Sequence, residues 1–403
     1  MLISSTTTTN EVAKSLYPRF SQGEIRRRRR AVKEYMERNQ IDCLILAGSS
    51  SRWNEKYSNI RYLSEFVDKE SPCSYLIFPL DDEPTLLIWS VVRLQNARLM
   101  SDIRDIRPVH PDYAGAIVRR LEELKLRSGR IGIEGFDRFL EIPANHLREL
   151  KNRVPGAHFE SVNLVERLRL VKSEEEIQFM REASRLSDLA VENMLATAKP
   201  GMTDYQVYAD IDRTMAYNGG EAPFLTLVGS TSMTNPSMPF PNITPSGRKI
   251  RRGDMILTEI TGKYGGYWGQ THRPLSFGKP PARIARMFEV AKEVYDIVVS
   301  ELRPGNSLQS VMKAGQGVLE NKGLTWIAPF AHGIGMEAPE EPVLGIGHWP
   351  LDPIVIEEGM CFSVEPNPTT KDKRIGAFLG DTFVVKKNGS ERLNKFPVQL
   401  SVA

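Results

Sequence analysis

The sequence predicts an α/β domain followed by a second domain that is built from two similar halves. Three observations support this prediction. Short apolar runs alternate with helical patterns in the first part of the chain, a capped helix opens the second part, and the segment 199–220 recurs in similar form at 303–323. We therefore assign residues 1–165 to the first domain and residues 166–403 to the second.

Strand and helix signals interleave in the first domain. Ser21 and Glu24 are spaced as a capping box, which predicts a helix from about residue 24 to about residue 39. A second helical pattern covers 115-AIVRRLEELK-124. Four apolar runs have the length of buried strands: 42-DCLILAG-48, 74-SYLIFP-79, 85-TLLIWS-90 and 131-IGIE-134. Strands that alternate with helices indicate an α/β domain.

The second domain opens with one long helix. Ser173 and Glu176 form another capping box, apolar residues follow at helical spacing, and Pro200-Gly201 ends the helix. The repeat comes next, as 199-KPGMTDYQVYADIDRTMAYNGG-220 and 303-RPGNSLQSVMKAGQGVLENKG-323. Each copy has a basic residue, Pro-Gly, a Thr or Ser cap, one amphipathic helix and a Gly. Two such copies predict halves with a functional site where they meet.

Charge and composition exclude several classes of partner. Lys and Arg number 53 against 50 Asp and Glu, which leaves a net charge of +3, so neither nucleic acid nor a membrane surface is expected as a partner. The basic run 26-RRRRR-30 is interpreted as the solvated face of a helix. Cys43, Cys73 and Cys361 lack metal spacing and suit a reducing compartment. No apolar run approaches the ~20 residues of a membrane span, and we expect a cytoplasmic protein.

The segment 257-LTEITGKYGGYWGQTHRP-274 predicts a β-hairpin whose turn is the Gly-Gly pair at 265–266. Because side chains alternate along a strand, that register places two opposed pairs on one face: Glu259 with His272, and Thr261 with Gln270. A carboxylate beside an imidazole raises the pKa of a charged histidine or fixes the tautomer of a neutral one, as catalysis requires. The alternative is a surface ion pair of little energetic value.

Five motifs together resemble one family. They are 172-KSEEEIQFMREA-183, 253-GDMILTEITGKYGGYWGQTHRP-274, 332-HGIGMEAPEEP-342, 363-SVEP-366 and 380-GDTFVVKKNG-389. Their order and spacing are similar to those of the creatinase, prolidase and methionine aminopeptidase superfamily (peptidase family M24), which has the pita-bread fold. The first domain, with 59-NIRYLSEF-66, resembles the amino-terminal domain of the creatinase and prolidase branch. The resemblance implies an α+β second domain with pseudo-twofold halves around a curved antiparallel sheet, and a homodimer.

The resemblance also implies a metal centre from which ligands have been lost. In the metallopeptidases, five positions supply two aspartates, one histidine and two glutamates as metal ligands. The resemblance places these residues at those positions here: Glu259, Gln270, His332, Glu365 and Gly380. Gln270 and Gly380 stand at the bridging positions, and two ions ~4 Å apart need bridging carboxylates between them. We therefore predict no metal and no other cofactor. A single divalent ion at Glu259, His332 and Glu365 is the less favoured alternative.

These residues lead to the prediction of a metal-independent hydrolase that cleaves an amide or amidine carbon–nitrogen bond of a small molecule. In this scheme His272, oriented by Glu259, or else His332 deprotonates water, and Glu365 with the other histidine protonates the leaving nitrogen. The layout resembles that of creatinase. Creatine is not the expected substrate, because Asn242 and His272 replace catalytic residues of that enzyme.

Six residues are predicted to bind the substrate: Asn242, Gln270, Arg273, Tyr267, Trp268 and Phe224. The aromatic ones have packing as their alternative role. Three other functions stay open at this point, namely a single-metal aminopeptidase or dipeptidase acting before proline, a lyase or isomerase, and a non-catalytic binding protein on the same scaffold. The partners expected are a small-molecule substrate and a second copy of the chain.

Overall fold

The computed structural model describes five stretches of the chain: residues 16–48, 57–68, 73–135, 142–343 and 354–403. They divide into two compact units, of which the first ends at Arg169 and the second begins at Leu170. None of the helices in these stretches is long and apolar enough to cross a membrane. The domain bounds 1–165 and 166–403 remain our proposal, which limited proteolysis can test.

The first unit is a six-stranded mixed sheet with helices. The helices are α1 (Gln22–Asn39), α2 (Ser58–Ser64), α3 (Leu94–Met100), α4 (Tyr113–Glu123), α5 (Ala144–Arg153) and α6 (Leu164–Leu168). The strands are β1 (Cys43–Gly48), β2 (Ser74–Pro79), β3 (Thr85–Ile88), β4 (Asp105–Pro108), β5 (Arg130–Glu134) and β6 (His158–Val162), in the order β4-β3-β2-β1-β5-β6. Alternate residues of β1, namely Cys43, Ile45 and Ala47, pack in one apolar cluster with α4 and α5.

The basic run on α1 is solvated only in part. Arg28 is buried, its guanidinium lies 4.0 Å from the ring centre of Phe20 and 4.3 Å from that of Tyr62, and it pairs with Glu24. Arg29 is half-buried in another ion pair. The interpretation of the whole run as a solvated face is therefore wrong at these two positions, because they lie on the side of α1 that packs against α2.

The second unit surrounds a ten-stranded, largely antiparallel sheet in the described residues. Its helices are α7 (Glu174–Thr197), α8 (Asp204–Tyr217), α9 (Ala282–Glu301) and α10 (Leu308–Asn321). Its strands are β7 (Leu225–Ser232), β8 (Asp254–Tyr264), β9 (Tyr267–His272), β10 (Leu275–Ser276), β11 (Thr325–Trp326), β12 (Ala331–Gly333), β13 (Glu340–Val343), β14 (Cys361–Val364), β15 (Pro368–Thr369), β16 (Gly380–Lys386), β17 (Gly389–Arg392) and β18 (Ser401–Val402). The main path is β13-β12-β14-β16-β9-β8-β10-β18, with β7 on β8, β17 on β16, and β11 paired to β15 apart from it.

The predicted repeat is confirmed as two matching helices. Gly201 and Gly305 have φ of 99° and 90°, which suits glycine, and each lies just before a side-chain cap, Thr203 for α8 and Ser307 for α10. Both helices have 14 residues. Helix α8 packs with α7 in one apolar cluster, and α10 packs with α9 in another. The second unit is thus built from two similar halves, as the pita-bread fold requires.

The hairpin formed by β8 and β9 has the predicted register. Its turn glycines at 265–266 have φ of 55° and 89°, and the ladder pairs Thr261 with Gln270 and Ile260 with Thr271. The register therefore leaves Glu259 and His272 on the same face as Gln270.

Helix α7 covers the other face of the hairpin at very close range. Gly262 and Gly269 lie opposite each other in the ladder. A Cβ atom at Gly262 would lie 2.5 Å from the carbonyl oxygen of Ala183, and one at Gly269 would lie 2.3 Å from the amide nitrogen of Ser184. Only glycine fits at these positions. The helix thereby seals one face of the sheet, and the polar residues occupy the opposite face.

Candidate metal centre

Neighbouring strands of the second unit bring four predicted catalytic residues together. In the order of the sheet, β12 carries His332, the end of β14 leads to Glu365, β9 ends at His272, and β8 carries Glu259. All four side chains are buried. Strand β16 lies between β14 and β9, and its first residue, Gly380, is opposite His272.

His272 contacts both carboxylates of the cluster. Its Nε2 atom lies 3.3 Å from Oε2 of Glu365 and 3.9 Å from Oε2 of Glu259. The second oxygen of Glu365 lies 3.5 Å from Nε2 of His332. The second oxygen of Glu259 accepts a hydrogen bond of 2.7 Å from the side-chain amide of Gln270. Of the six predicted substrate-binding residues, Gln270 is thus the one whose side chain forms a hydrogen bond with a side chain of the cluster.

The imidazole of His272 is held tightly, yet its nitrogens lack hydrogen bonds of good geometry among the described residues. It has no exposed surface, and its ring centre lies 4.2 Å from that of Phe378. Neither ring nitrogen has a hydrogen bond of acceptable geometry among the described residues, although Nε2 is close to Glu365. A buried polar atom without a partner is costly. A neutral imidazole offers one lone pair, and Nε2, which faces both carboxylates, is placed to offer it to a ligand.

The pKa values of the four residues in the cluster are shifted in different directions. Burial, and then the charge of Glu365, raise the pKa of Glu259. Burial alone would also raise the pKa of Glu365, but His332 and His272 lower it. Burial lowers the pKa of His272, which favours a neutral ring, whereas in His332 the charge of Glu365 overcomes burial and raises the pKa. In the absence of an ion, these directions favour charge on Glu365 and His332.

The backbone around His332 fixes its orientation. Its Nδ1 atom lies 2.8 Å from the carbonyl oxygen of Gly333, so Nε2 faces Glu365. Trp268 holds the loop that follows, because its backbone amide donates to Gly335 and its indole nitrogen donates to the carbonyl of Met336, at 2.8 and 3.1 Å. The histidine is thus positioned before any substrate binds.

The donor set fits one divalent ion. One ligand atom from each of Glu259, His272 and Glu365 lies within 4.8 Å of the other two. Two carboxylates and one imidazole are a suitable ligand set for such an ion, and the carboxylates balance its charge once both are ionised. The alternative ligand set predicted from the sequence contained His332 in place of His272. In the structure His272 is the histidine that groups with both carboxylates.

Arg273 is not available to bind a substrate, which corrects that prediction. Its guanidinium is fully buried and pairs with Asp381 at 2.6 Å. It also donates to four backbone carbonyl groups: those of His272, Gly380, Phe396 and Pro397. With every donor direction in use, its role is to fasten β9, β16 and the C-terminal segment together.

Three aromatic residues predicted to bind substrate have structural roles instead. Tyr267 is buried on the side of the hairpin that faces α7, where its hydroxyl donates to Glu176 at 2.7 Å. Trp268 is buried under the loop after His332, with the amine of Lys263 4.8 Å from its ring centre. Phe224 packs in the apolar cluster of α7 and α8. These assignments are corrected, since each side chain is committed to packing or to a protein hydrogen bond.

Asn242 stays a prediction. Its backbone carbonyl accepts a hydrogen bond from Val228 on β7, and its half-buried side chain has no hydrogen bond to the cluster in the described residues.

Two neighbours of the cluster were not predicted as part of it. The ring of Phe378 packs at a tilt against His272, and Phe240 packs against Phe378 at a distance of 4.5 Å between ring centres, in what is called the aromatic stack below. Residue 378 is two before Gly380, so strand alternation along 378-FLG-380 was the signal that could have placed Phe378 beside the site.

Two carboxylates and two histidines thus lie together on the sheet of a domain built from two similar halves. The chain belongs to metallopeptidase family M24, because the model of that family matches residues 178–387. The model of the creatinase/prolidase N-terminal domain matches residues 28–171. The resemblance and the fold class predicted from the sequence are confirmed.

Relatives agree with this assignment. The chain is 30% identical over 264 residues to a probable dipeptidase PepE of Mycobacterium tuberculosis, covering 65% of this chain and 68% of the relative. It is 26% identical to an Xaa-Pro dipeptidase of Pyrococcus horikoshii, covering 90% and 95%. Among solved structures, dipeptidase PepE from Mycobacterium ulcerans has a TM-score of 0.77 at 26% identity, covering 95% and 99%. X-Pro aminopeptidase from Thermotoga maritima has a TM-score of 0.81 at 20% identity, covering 93% and 99%, which shows the fold alone.

The family corrects one prediction and confirms another. A chain without a cofactor was expected, and membership of a metallopeptidase family, together with the Glu259, His272 and Glu365 group, shows that expectation to be wrong. The physical reason is that ligands were counted by family position, which overlooked His272. The prediction of a hydrolase of carbon–nitrogen bonds is confirmed at the level of the family.

Proposed function

We propose that the protein is a divalent-metal-dependent dipeptidase that cleaves the peptide bond before proline. The observation that carries this proposal is the buried group of Glu259, His272 and Glu365, whose donor atoms lie within 4.8 Å of one another. Relatives named as Xaa-Pro dipeptidase and as dipeptidase support the substrate class.

Glu259, His272 and Glu365 would hold the ion. A divalent ion in such a place polarises a carbonyl group and lowers the pKa of water to about 7. Glu259 is further held by the Gln270 amide at 2.7 Å, so its carboxylate is fixed before binding. Such prior orientation of the ligands reduces the reorganisation that catalysis requires.

His332 is the residue placed to move a proton. The carbonyl of Gly333 holds its Nδ1 atom, and Nε2 lies 3.5 Å from Glu365 at the edge of the cluster. We assign to Nε2 the proton that passes to the leaving nitrogen of the cleaved bond. A positioned acid of this kind typically contributes ~100- to 10,000-fold in rate.

The aromatic stack beside the cluster favours an apolar group in the substrate. Phe378 is buried against His272, while Phe240 is half-buried and leaves part of its ring accessible. A proline ring bound next to the cleaved bond would contact this stack. Burial of apolar surface is favourable by ~25 cal/mol per Å², so the stack gives a physical basis for preference over a dipeptide that ends in glycine.

Hydrolysis of dipeptides by the full chain tests the proposal. The protein is stripped with a chelator, dialysed, and assayed on Ala-Pro, Met-Pro and Ala-Gly with Mn²⁺, Co²⁺ or Zn²⁺ returned. We expect activity on the proline dipeptides that disappears with the chelator and returns with an ion. Glu365→Gln should lower kcat/KM by roughly 100-fold or more, because a bound ion supplies several kcal/mol of transition-state stabilisation.

Asp296→Asn is the matched control, since it also neutralises one carboxylate but lies in an exposed ion pair with Lys292 on α9. It should leave kcat/KM unchanged. Activity that survives complete removal of metal would contradict the proposed metal dependence. Equal cleavage of Ala-Gly and Ala-Pro would contradict the proposed preference for proline.

Two further predictions accompany this function. A homodimer is expected from the resemblance, and light scattering coupled to size-exclusion chromatography measures it. A cytoplasmic location is expected from the cysteine pattern, and cell fractionation tests it.

A further inference from the structure

We propose that His272 is a ligand of one divalent ion, and that its ring takes the place of the side chain that position 380 lacks. The inference rests on the proposed metal dependence, but it concerns which residues bind the ion and how many ions bind. It departs from a two-ion centre bridged by carboxylates.

Gly380 and His272 are a matched pair. They lie opposite each other in the ladder between β16 and β9. A Cβ atom at Gly380 would lie 2.3 Å from Nδ1 and 3.0 Å from Cε1 of His272, closer than atoms can approach. The imidazole therefore occupies the space where a side chain at position 380 would begin, and a ligand from one strand is replaced by a ligand from its neighbour.

The ring is oriented as a ligand. Packing on Phe378 and complete burial hold it in place, and it has no hydrogen bond of acceptable geometry in the described residues. Its Nε2 atom faces Oε2 of Glu365 and Oε2 of Glu259, at 3.3 and 3.9 Å. An ion between these three atoms would bind the lone pair of the nitrogen and both carboxylate oxygens.

The charge of the cluster balances one ion. Carboxylates bind an ion in their ionised form, so Glu259 and Glu365 then supply two negative charges, and Gln270 is neutral. Two divalent ions would leave an excess of positive charge buried, which is strongly unfavourable. The nearby acids do not compensate, because Glu340 pairs with Lys172 at 3.0 Å and Asp381 pairs with Arg273 at 2.6 Å.

The donor types indicate the class of ion. One imidazole nitrogen with two carboxylate oxygens suits Zn²⁺, Co²⁺ or another first-row transition ion. Mg²⁺ prefers oxygen ligands and retains several waters. We therefore expect a transition ion to bind in preference to Mg²⁺.

Metal binding by the stripped full chain tests the inference without substrate. Co²⁺ is titrated into wild type, His272→Ala and His332→Ala, followed by visible absorption and calorimetry. We expect one equivalent in wild type. His272→Ala should bind more than about 100-fold more weakly with a changed Co²⁺ spectrum. His332→Ala should keep the spectrum and lose about 10- to 100-fold, the range for a residue that touches a ligand and not the ion.

Thermal unfolding confirms that the variants are folded. If His272→Ala does not fold, Cu²⁺ bound to His332→Ala is examined by pulsed electron paramagnetic resonance, and persistent imidazole coupling supports His272 as the ligand. Two tightly bound equivalents in wild type would overturn the single-ion claim. Near-normal affinity in His272→Ala, or absence of imidazole coupling in His332→Ala, would overturn the ligand assignment.

The test is independent of the proposed reaction. One ion on His272 in a protein that cleaves no dipeptide would remove the proposed function and leave this inference standing. If the protein is a metal-dependent dipeptidase but its His272→Ala variant binds Co²⁺ normally, the proposed function stands and this inference is wrong.

Discussion

Replacing Gly380 by alanine should destabilise the second unit through a single methyl group. The Cβ atom would lie 2.3 Å from Nδ1 of His272 and 2.6 Å from the backbone oxygen of Val364. The ring cannot move freely, because it is buried against Phe378, and Val364 is held in the ladder between β14 and β16. Both contacts must therefore be relieved by shifting packed atoms.

The expected cost follows from overpacking. Adding a methyl group to a well-packed interior typically costs about 1–3 kcal/mol. For a domain of 150–250 residues each kcal/mol lowers Tm by about 2–4 °C, so a decrease of about 2–12 °C is expected. Displacement of the imidazole should also weaken Co²⁺ binding. Differential scanning calorimetry of the stripped protein measures the first effect, and a Co²⁺ titration measures the second.

Gly317→Ala is the matched control. Gly317 lies within helix α10, and a Cβ atom there would have no atom within 4 Å. The same substitution should raise stability by roughly 0.5–1 kcal/mol, because alanine favours a helix interior over glycine. A Gly380→Ala protein as stable as wild type, with unchanged Co²⁺ affinity, would refute the close fit between position 380 and His272.

Two other substitutions test features of the fold. Arg273→Met should cost about 3–5 kcal/mol in urea unfolding, because it leaves the buried carboxylate of Asp381 without its main partner; a cost below 1 kcal/mol would contradict a structural role. Burial alone would raise the pKa of Glu24, but Arg27 and Arg28 lower it to about 2. Its carboxylate therefore stabilises the fold fully above the unfolded pKa of ~4.3 and loses this contribution as pH falls toward 2. Glu24→Gln should reduce the difference in urea midpoint between pH 7 and pH 3, and an unchanged difference would contradict the lowered pKa.

The hairpin could be predicted because its determinants are local. The Gly-Gly turn at 265–266 fixes the register, and alternation then places Glu259, Gln270 and His272 on one face. The repeat around Thr203 and Ser307 was equally readable, since each copy carries its own turn and cap.

The contact between His272 and Glu365 could not be predicted, because it depends on strand order. Strand β16 separates β9 from β14, and it is the absence of a side chain at Gly380 that lets the two residues meet across it. No local pattern specifies which strands are neighbours in a sheet. The histidine that groups with both carboxylates was therefore missed from positions alone.

The prediction that Tyr267 binds substrate failed for a reason that the sequence did contain. Tyr267 and Gln270 differ by an odd number of positions, so they point to opposite faces of β9. Tyr267 accordingly meets Glu176 on α7 and not the cluster. Arg273 follows the strand and meets Asp381, a partner on β16 that only the tertiary structure brings near.

The last residues of the chain take part in holding the centre together. The carbonyl groups of Phe396 and Pro397 accept from Arg273, and the carboxylate of Asp188 accepts from the backbone amides of Lys395 and Phe396. A protein shortened before residue 395 would leave that guanidinium with unmet donors immediately beside His272. Removal of residues 395–397 would therefore be expected to disturb the position of His272, although these residues are remote from it in sequence.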